Sequence, residues 1–277
     1  MQRMNHLIME SAREWGISAR TAMGLCVIPI LGSVVLVAAR LSKDLYRSLL
    51  GEDGPIEWAG TLCLLAACLA GLGVAGKRFR AGHRYQGLLY GGFALLMFLA
   101  AGEEISWGQR VLGLKTPAVL HAINKQGEMT LHNIGGTLSV INLAMMLAGA
   151  LGCVAFLLNR RIRLESRWDQ ADYLFVPPVF LAPSFFVVFL YRFLRWTVWP
   201  QSGFTVTRYA EWPELLFAMA LGVFSCLNYR RLWMAERTGL KDANRPEGTT
   251  VRLVEGGGET AHDSHWAVAD EESRKVL

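Results

Sequence analysis

Long runs of residues without charge limit what this chain can fold into. Residues 86–102 carry no formally charged side chain, and similar apolar runs recur along a chain of 277 residues that is 52% hydrophobic. A helix needs about 20 apolar residues to cross roughly 30 Å of hydrocarbon, and most of these runs are close to that length. The pattern is not typical of a soluble core. It predicts an all-α, polytopic membrane protein.

Six such runs predict a bundle of about six transmembrane helices. Asp53 is the expected N-cap of the second span, with Pro55 in its first turn. Three prolines (Pro177, Pro178 and Pro183) should kink the fifth span or make its first half irregular. The predicted spans cover residues 21–39, 57–76, 86–102, 135–158, 173–191 and 215–229.

The sixth run is short for a membrane span. Its roughly 15 residues give only about 22 Å of helix. To cross the bilayer it must take in Glu211, Trp212 and Glu214 at one end or let Arg230 and Arg231 reach the interface at the other. The two carboxylates are therefore expected near the membrane boundary.

Basic residues predict the orientation of the bundle. Lys and Arg cluster in residues 77–84, in residues 159–167 and after residue 229, and the amino terminus holds three more. By the positive-inside rule these segments face the cytoplasm, which places both termini there. A net charge of +5 distributed in this way reports orientation, so no nucleic-acid partner is expected.

The same pattern predicts three regions along the chain. Residues 1–20 form a cytoplasmic amino-terminal segment, and residues 21–235 form the transmembrane domain with a polar outer loop at residues 103–134. Residues 236–277 form a cytoplasmic tail, which is polar enough to be disordered.

Ionisable side chains gather at the outer level of this predicted bundle. Carboxylates that converge at low dielectric share protons, bind a cation or recruit an arginine. Four or five carboxylates with one or two imidazoles match the ligand chemistry of a divalent metal ion, although no particular metal is indicated. The residues at this level are Asp53, Glu57, Glu103, Glu104, Glu128, His132 and Glu211.

Helical spacing separates the roles of these residues. Adjacent Glu103 and Glu104 point about 100° apart on a helix, so one can face the bundle interior while the other pairs with a base or a neighbouring helix. If residues 128–132 are helical, Glu128 and His132 lie four residues apart on one face and could bind one cation. Glu103 and Arg110 are seven residues apart and would share a face if the helix continued past Gly102, which would allow a structural ion pair.

Simpler interpretations apply to several of these positions. Asp53 fits a helix cap better than a metal ligand, and Glu214 fits a solvated residue at the rim. Glu211 slightly favours a boundary residue over a ligand, whereas His121 fits the loop surface and the site equally well.

Two motifs resemble the signature of a family of uncharacterised bacterial multi-pass membrane proteins. The first runs from Gly102 through Glu103, Glu104, Trp107, Gln109 and Arg110. The second runs from Asn124 through Gln126, Glu128 and His132 to Asn133. The resemblance covers roughly residues 52–135. It implies a location in the bacterial inner membrane and a site that includes the Glu, Gln, His and Asn positions. It implies no particular reaction.

Together these observations favour an integral membrane, metal-dependent enzyme, most simply a hydrolase that acts on a membrane lipid or lipid-linked substrate at the outer leaflet. The alternatives are a proton- or cation-coupled transporter and a non-enzymatic membrane scaffold. For the enzyme, each expected role has its own residues. The predicted catalytic residues are Glu103, Glu104 and Gln109, the predicted metal ligands are Glu57, Glu104, Glu128 and His132, and the predicted substrate contacts are Trp107, Arg110 and Asn133.

Overall fold

The structure is a computed structural model that describes residues 2–118, 124, 130, 137–165, 174–199 and 203–243. The described residues contain helices joined by turns and no β-strand, which confirms the predicted all-α class. In chain order the helices are α1 (Gln2–Glu14), α2 (Ala19–Ala39), α3 (Lys43–Leu50), α4 (Pro55–Arg80), α5 (Arg84–Glu104), α6 (Gln109–Leu112), α7 (Thr137–Glu165), α8 (Ala182–Thr197), α9 (Phe204–Arg208) and α10 (Glu211–Ala243).

Each predicted span corresponds to a helix. Five stretches are long and apolar enough to cross a membrane: Ala19–Ala39, Lys43–Arg80, Arg84–Glu104, Val179–Thr197 and Phe204–Thr238. The apolar segment Ser139–Ala155 of α7 is shorter, and α7 itself has 29 residues. The chain is therefore a multi-pass membrane protein built as a helical bundle.

The outer surface of α2 shows why this bundle belongs in lipid. Ile30, Val34 and Val37 are 59%, 62% and 58% exposed, and the helix carries no charged residue between Arg20 and Arg40. A helix at a water-facing surface normally turns a polar face outward. An exposed face made of branched apolar side chains fits a hydrocarbon environment.

Helix α10 occupies the centre of the bundle. Leu216 packs with residues of α2, α3 and α8, whereas Ala218 packs with Leu64 of α4 and Ala101 of α5. The approach to α4 is close, because a Cβ added at Gly222 would lie 3.0 Å from the carbonyl oxygen of Cys63. Small residues of this kind allow helix backbones to meet in a membrane. The first turn of α10 is consequently surrounded by the ends of its neighbours.

Proline shapes the fifth span as predicted. Residues 174–178 are not α-helical, Val179–Leu181 form a single 3₁₀ turn, and α8 begins only at Ala182, with Pro183 in its first turn. Proline lacks a backbone N–H and fits the first turn of a helix, where that donor would have no partner. The regular part of this span is thus its second half, which ends at Thr197.

Helices α1 and α3 were not predicted, and neither were the short helices α6 and α9. Ile8 and Ala12 of α1 and Trp15 just after it are buried in a core shared with α2 and α10. Arg230 of α10 donates to the carbonyl oxygen of Trp15 at 3.1 Å. Helix α3 lies between the first two spans and is capped by Ser42, whose hydroxyl accepts from the backbone N–H of Leu45. Both segments have mixed composition, so their helical state depends on packing rather than on a long apolar run.

Residues Met1–Arg237 form one compact unit. The predicted boundaries at residues 20 and 236 and the predicted disorder of the tail remain predictions, and residues 244–277 lie outside the described residues.

Candidate functional site

The end of α5 separates the two adjacent carboxylates of the first motif. The helix ends at Glu104, and Ser106, Trp107 and Gly108 then adopt left-handed conformations with φ values of 48°, 54° and 73°. Left-handed backbone is costly for residues with a Cβ, and two of these three residues carry one. The helix therefore does not continue past Glu104, so Glu103 and Arg110 do not share a face of one continuous helix.

This left-handed turn folds Trp107 back over the end of α5. A Cβ added at Gly102 would lie 2.8 Å from the indole ring, so only glycine leaves room for the ring in this position. The indole Nε1–H donates to Glu103 Oε1 at 2.9 Å, and the ring meets Phe98 edge to face at a centroid distance of 6.1 Å. Glu103 is thus held on the side of the helix that carries Trp107.

Glu104 faces the bundle interior, where it meets the first turn of α10. Carboxylate oxygens of Glu104, Glu211 and Glu214 all lie within 4.8 Å of one another. We call these three residues the carboxylate cluster. It brings together the end of the third span and the start of the sixth, which are separated by more than 100 residues in the sequence.

A buried arginine supplies positive charge to this cluster. Arg192 of α8 is only 8% exposed, and its Nη2 forms an ion pair with Glu214 Oε1. Its Nη1 donates to Asn142 Oδ1 of α7 at 2.6 Å, and Nη2 also contacts Met145 Sδ at 3.3 Å. Arg192 additionally interacts electrostatically with Glu104 and Glu211. Four helices, α5, α7, α8 and α10, therefore converge on one charged site.

Glu57 lies beside the cluster and also closes the start of α4. Its Oε2 accepts from the backbone N–H of Asp53 at 2.7 Å, and the N-cap of the helix is Gly54. The prediction that Asp53 is the N-cap is therefore wrong; Asp53 instead has a φ of 58° and presents its backbone N–H to Glu57. Glu57 is 9% exposed, and its carboxylate interacts electrostatically with Glu104 and Glu211.

Short helices are fixed beside this end of the bundle by hydrogen bonds to tyrosine. The hydroxyl of Tyr46 in α3 donates to the carbonyl oxygen of Thr205 at 2.7 Å, and that of Tyr191 donates to the carbonyl oxygen of Val206 at 2.8 Å. Arg208 adds an ion pair to Glu52 at 2.6 Å. The segment that leads into Glu211 is thereby anchored to α3 and α8.

The remaining predicted site residues divide into two groups. Gln109 is described, and its Nε2 donates to Thr116 Oγ1 at 2.6 Å within the segment after α5. Asn124, which opens the second motif, is buried and donates to the carbonyl oxygen of Thr130 at 2.6 Å. The other members lie outside the described residues or have side chains outside them, and their assignments stay predictions: Arg110, His121, Glu128, His132 and Asn133.

Sequence reasoning did not place Glu214, Arg192 and Asn142 in the site. Glu214 was expected at a solvated rim, whereas its side chain is 28% exposed and paired with Arg192. The sequence did carry a signal for Arg192 and Glu214, because an arginine at the outer end of the fifth span needs a carboxylate partner if it is buried. Asn142 lies within an otherwise apolar stretch of α7, where a polar amide normally finds a partner on another helix.

The donor set of the cluster fits a hard cation. Three carboxylates and one guanidinium leave two net negative charges in a largely buried site, and protons or one divalent cation could cancel them. Carboxylate oxygen is the ligand type that Mg²⁺, Ca²⁺ and Mn²⁺ prefer.

No protein-family model, curated protein or solved structure matches this chain. The resemblance to a bacterial membrane protein family therefore stays a prediction, and the chemistry of the site has to be argued from its own residues.

Proposed function

We propose that this chain is a metal-dependent enzyme of the bacterial inner membrane that hydrolyses a lipid or lipid-linked substrate at the outer leaflet. The observation that supports it is the convergence of Glu104, Glu211 and Glu214 within 4.8 Å beside the buried Arg192. Ionisable groups inside apolar helices are costly, and they are usually retained where they do chemistry or carry ions.

Glu104 and Glu211 are the proposed metal ligands among the described residues. Glu214 can contribute its second oxygen while Oε1 remains paired with Arg192. Glu128 and His132 remain proposed ligands from the second motif, where an imidazole would complete a mixed oxygen and nitrogen donor set. A divalent cation in this position would supply Lewis-acid activation of water.

The proposed general base is a carboxylate that does not hold the metal. Glu57 is well placed for that role, because it interacts with Glu104 and Glu211 while one of its oxygens is fixed by the Asp53 N–H. A carboxylate held in this way can accept a proton from water and pass it to the leaving group. Glu103, predicted as catalytic, is instead proposed to position Trp107.

The place of the cluster in the bundle supports a lipid substrate. Glu104 is the last residue of α5 and Glu211 is the first of α10, so the cluster lies where the apolar spans end. The basic loops at the other end of these spans orient the cluster toward the outer leaflet under the positive-inside rule. Ester and headgroup atoms of lipids lie at this depth.

Cation- or proton-coupled transport is the alternative that uses the same carboxylates. A transporter typically places its ion site near the middle of the bilayer, at broken helices. In the part of the chain that the structure describes, the carboxylate cluster lies at the helix ends, which favours the enzyme. A scaffold would leave the carboxylates facing water, whereas Glu57 is 9% exposed and the three residues of the carboxylate cluster are half-buried.

The direct test is turnover of bacterial membrane lipids by purified protein, with products identified by mass spectrometry. We expect a cleaved lipid that disappears with EDTA, returns with an added divalent cation and is absent for Glu104→Gln. Glu236→Gln, at the opposite end of α10, is the matched control and should retain turnover. A folded protein that forms no cation-dependent product, but drives cation flux in proteoliposomes, would contradict the enzyme and favour the transporter.

A further inference from the structure

A buried donor of Arg192 points to the substrate of this site. In the described part of the chain the Arg192 Nε–H has no hydrogen-bond partner, although the atom is fully enclosed and the residue is 8% exposed. A buried N–H without an acceptor is unfavourable, because the group has lost its water and gained no partner. Such a donor in a charged site is expected where a ligand supplies the missing acceptor.

The guanidinium is already oriented for this purpose. Asn142 Oδ1 and Glu214 Oε1 hold its Nη1 and Nη2, so the direction of Nε–H is fixed by neighbours on α7 and α10. A pre-oriented donor loses little conformational entropy when an acceptor arrives.

The charge of the site decides which acceptor can bind. The carboxylate cluster and Arg192 together carry two net negative charges, which one divalent cation cancels. Glu57 adds a further carboxylate, whose charge is offset in part by the positive end of the α4 dipole and by the Asp53 N–H that it accepts. A cation-loaded site is thus close to neutral and can accept an anion beside the guanidinium.

We propose that Arg192 binds the phosphate group of a phosphoester lipid, so that the substrate of the proposed hydrolase is a phospholipid or another lipid phosphoester. Phosphate is the anionic group that lipids carry at the depth of the helix ends, and guanidinium is its preferred partner among side chains. In the corresponding reaction, water forms a new bond to phosphorus and the ester P–O bond breaks. The proton released by water goes to the departing alcohol. This inference rests on the proposed metal-dependent function.

The test uses the full chain in dodecyl maltoside, which contains no phosphorus, loaded with Mn²⁺ as a paramagnetic probe. Relaxation of ³¹P is measured for inorganic phosphate and for phosphatidylglycerol in mixed micelles. We expect strong relaxation enhancement by the wild type. Enhancement with both probes assigns the site to the phosphate group itself, and enhancement with phosphatidylglycerol alone assigns it to the lipid headgroup.

Arg192→Lys keeps the positive charge and removes the fixed Nε–H. We expect it to retain Mn²⁺ and to bind phosphate or phosphatidylglycerol at least about tenfold more weakly, the loss expected for one charged hydrogen bond. Arg195→Lys on the same helix, where Arg195 contacts the carbonyl oxygen of Trp199, is the matched control and should bind as the wild type does.

Two results would overturn this inference while leaving the proposed function in place. One is Mn²⁺-loaded wild type that enhances ³¹P relaxation with neither probe, a result that needs no variant to fold. The other is Arg192→Lys that binds both probes as the wild type does. Wild type that binds no Mn²⁺ would instead contradict the proposed function, and the phosphate inference with it.

Discussion

Charged side chains have different partners at the two ends of the bundle. At the end that carries Glu104, Glu211 and Glu214, charged groups from separate helices meet each other, and Arg192 is buried among them. About 28 Å along α10, at the end that carries Arg230, the charges meet simple partners. Arg230 donates to the carbonyl oxygens of Trp15 and Gly16 just after α1. Lys77, whose side chain is 10% exposed, lies over the Tyr229 ring and pairs with Glu236, whose side chain is 48% exposed.

The difference separates a site from a structural contact. A base that donates to carbonyl groups at a helix end, or that pairs with one half-exposed carboxylate, has a structural role. Several carboxylates that converge on one buried base leave a charge imbalance, which something else has to compensate. The carboxylate cluster is therefore where function is expected, and the basic end is where the bundle is held together.

The largest expected effect comes from removing the buried base. Arg192→Ala leaves Glu214 without its partner in a largely buried site, and breaking such a pair costs about 3–5 kcal/mol. We expect the midpoint of thermal unfolding in detergent to fall by about 10 °C. Glu236→Gln at the basic end changes a side chain that is 48% exposed and should cost at most about 1 kcal/mol. Equal losses in the two variants would remove the distinction between the two ends.

The next effect concerns the fit between Gly102 and Trp107. Gly102→Ala places a Cβ 2.8 Å from the indole ring, so the ring has to move, at an expected cost of about 1–3 kcal/mol. Gly91→Ala in the same helix meets no atom within 4 Å among the described residues and should be neutral or slightly stabilising. Thermal unfolding and tryptophan fluorescence measure both. A neutral Gly102→Ala would show that Trp107 does not fold back over α5.

The smallest expected effect is the hydrogen bond from Trp107 to Glu103. Trp107→Phe keeps an aromatic ring and removes the Nε1–H donor, which should cost about 1 kcal/mol. A double-mutant cycle with Glu103→Ala isolates this term in the free energy of unfolding. Coupling of about 1 kcal/mol is expected, and strictly additive losses would show that the two side chains act independently.

The spans were predictable because each rests on local information. An apolar run such as residues 86–102 forms a helix in a bilayer whatever its neighbours are, because a helix satisfies all its backbone hydrogen bonds internally. The divergence of Glu103 and Glu104 followed in the same way from the angle between adjacent residues, although which of them faces inward depended on the left-handed turn at Trp107. Helix α1 was missed, because its helical state depends on contacts of Trp15 with α10.

The carboxylate cluster was only half predictable. Hydropathy places Glu104 and Glu211 at the same level of the membrane, but it does not say which side chains touch. Arg192 and Asn142 entered the site through the packing of α7 against α8, which is close because Gly149 leaves no room for a side chain beside Phe189. The hydrophobic periodicity of a single helix does not predict such contacts between helices.

The most direct measurement is the metal content of detergent-purified protein by elemental mass spectrometry, with Glu104→Gln, Glu211→Gln and Glu103→Gln beside the wild type. Glu103 is the matched control, because it neighbours Glu104 in sequence and hydrogen-bonds to Trp107. We expect a stoichiometric divalent metal in the wild type and in Glu103→Gln, and its loss in the other two variants. A folded wild type without metal, or equal loss in Glu103→Gln and Glu104→Gln, would contradict a metal site at the carboxylate cluster.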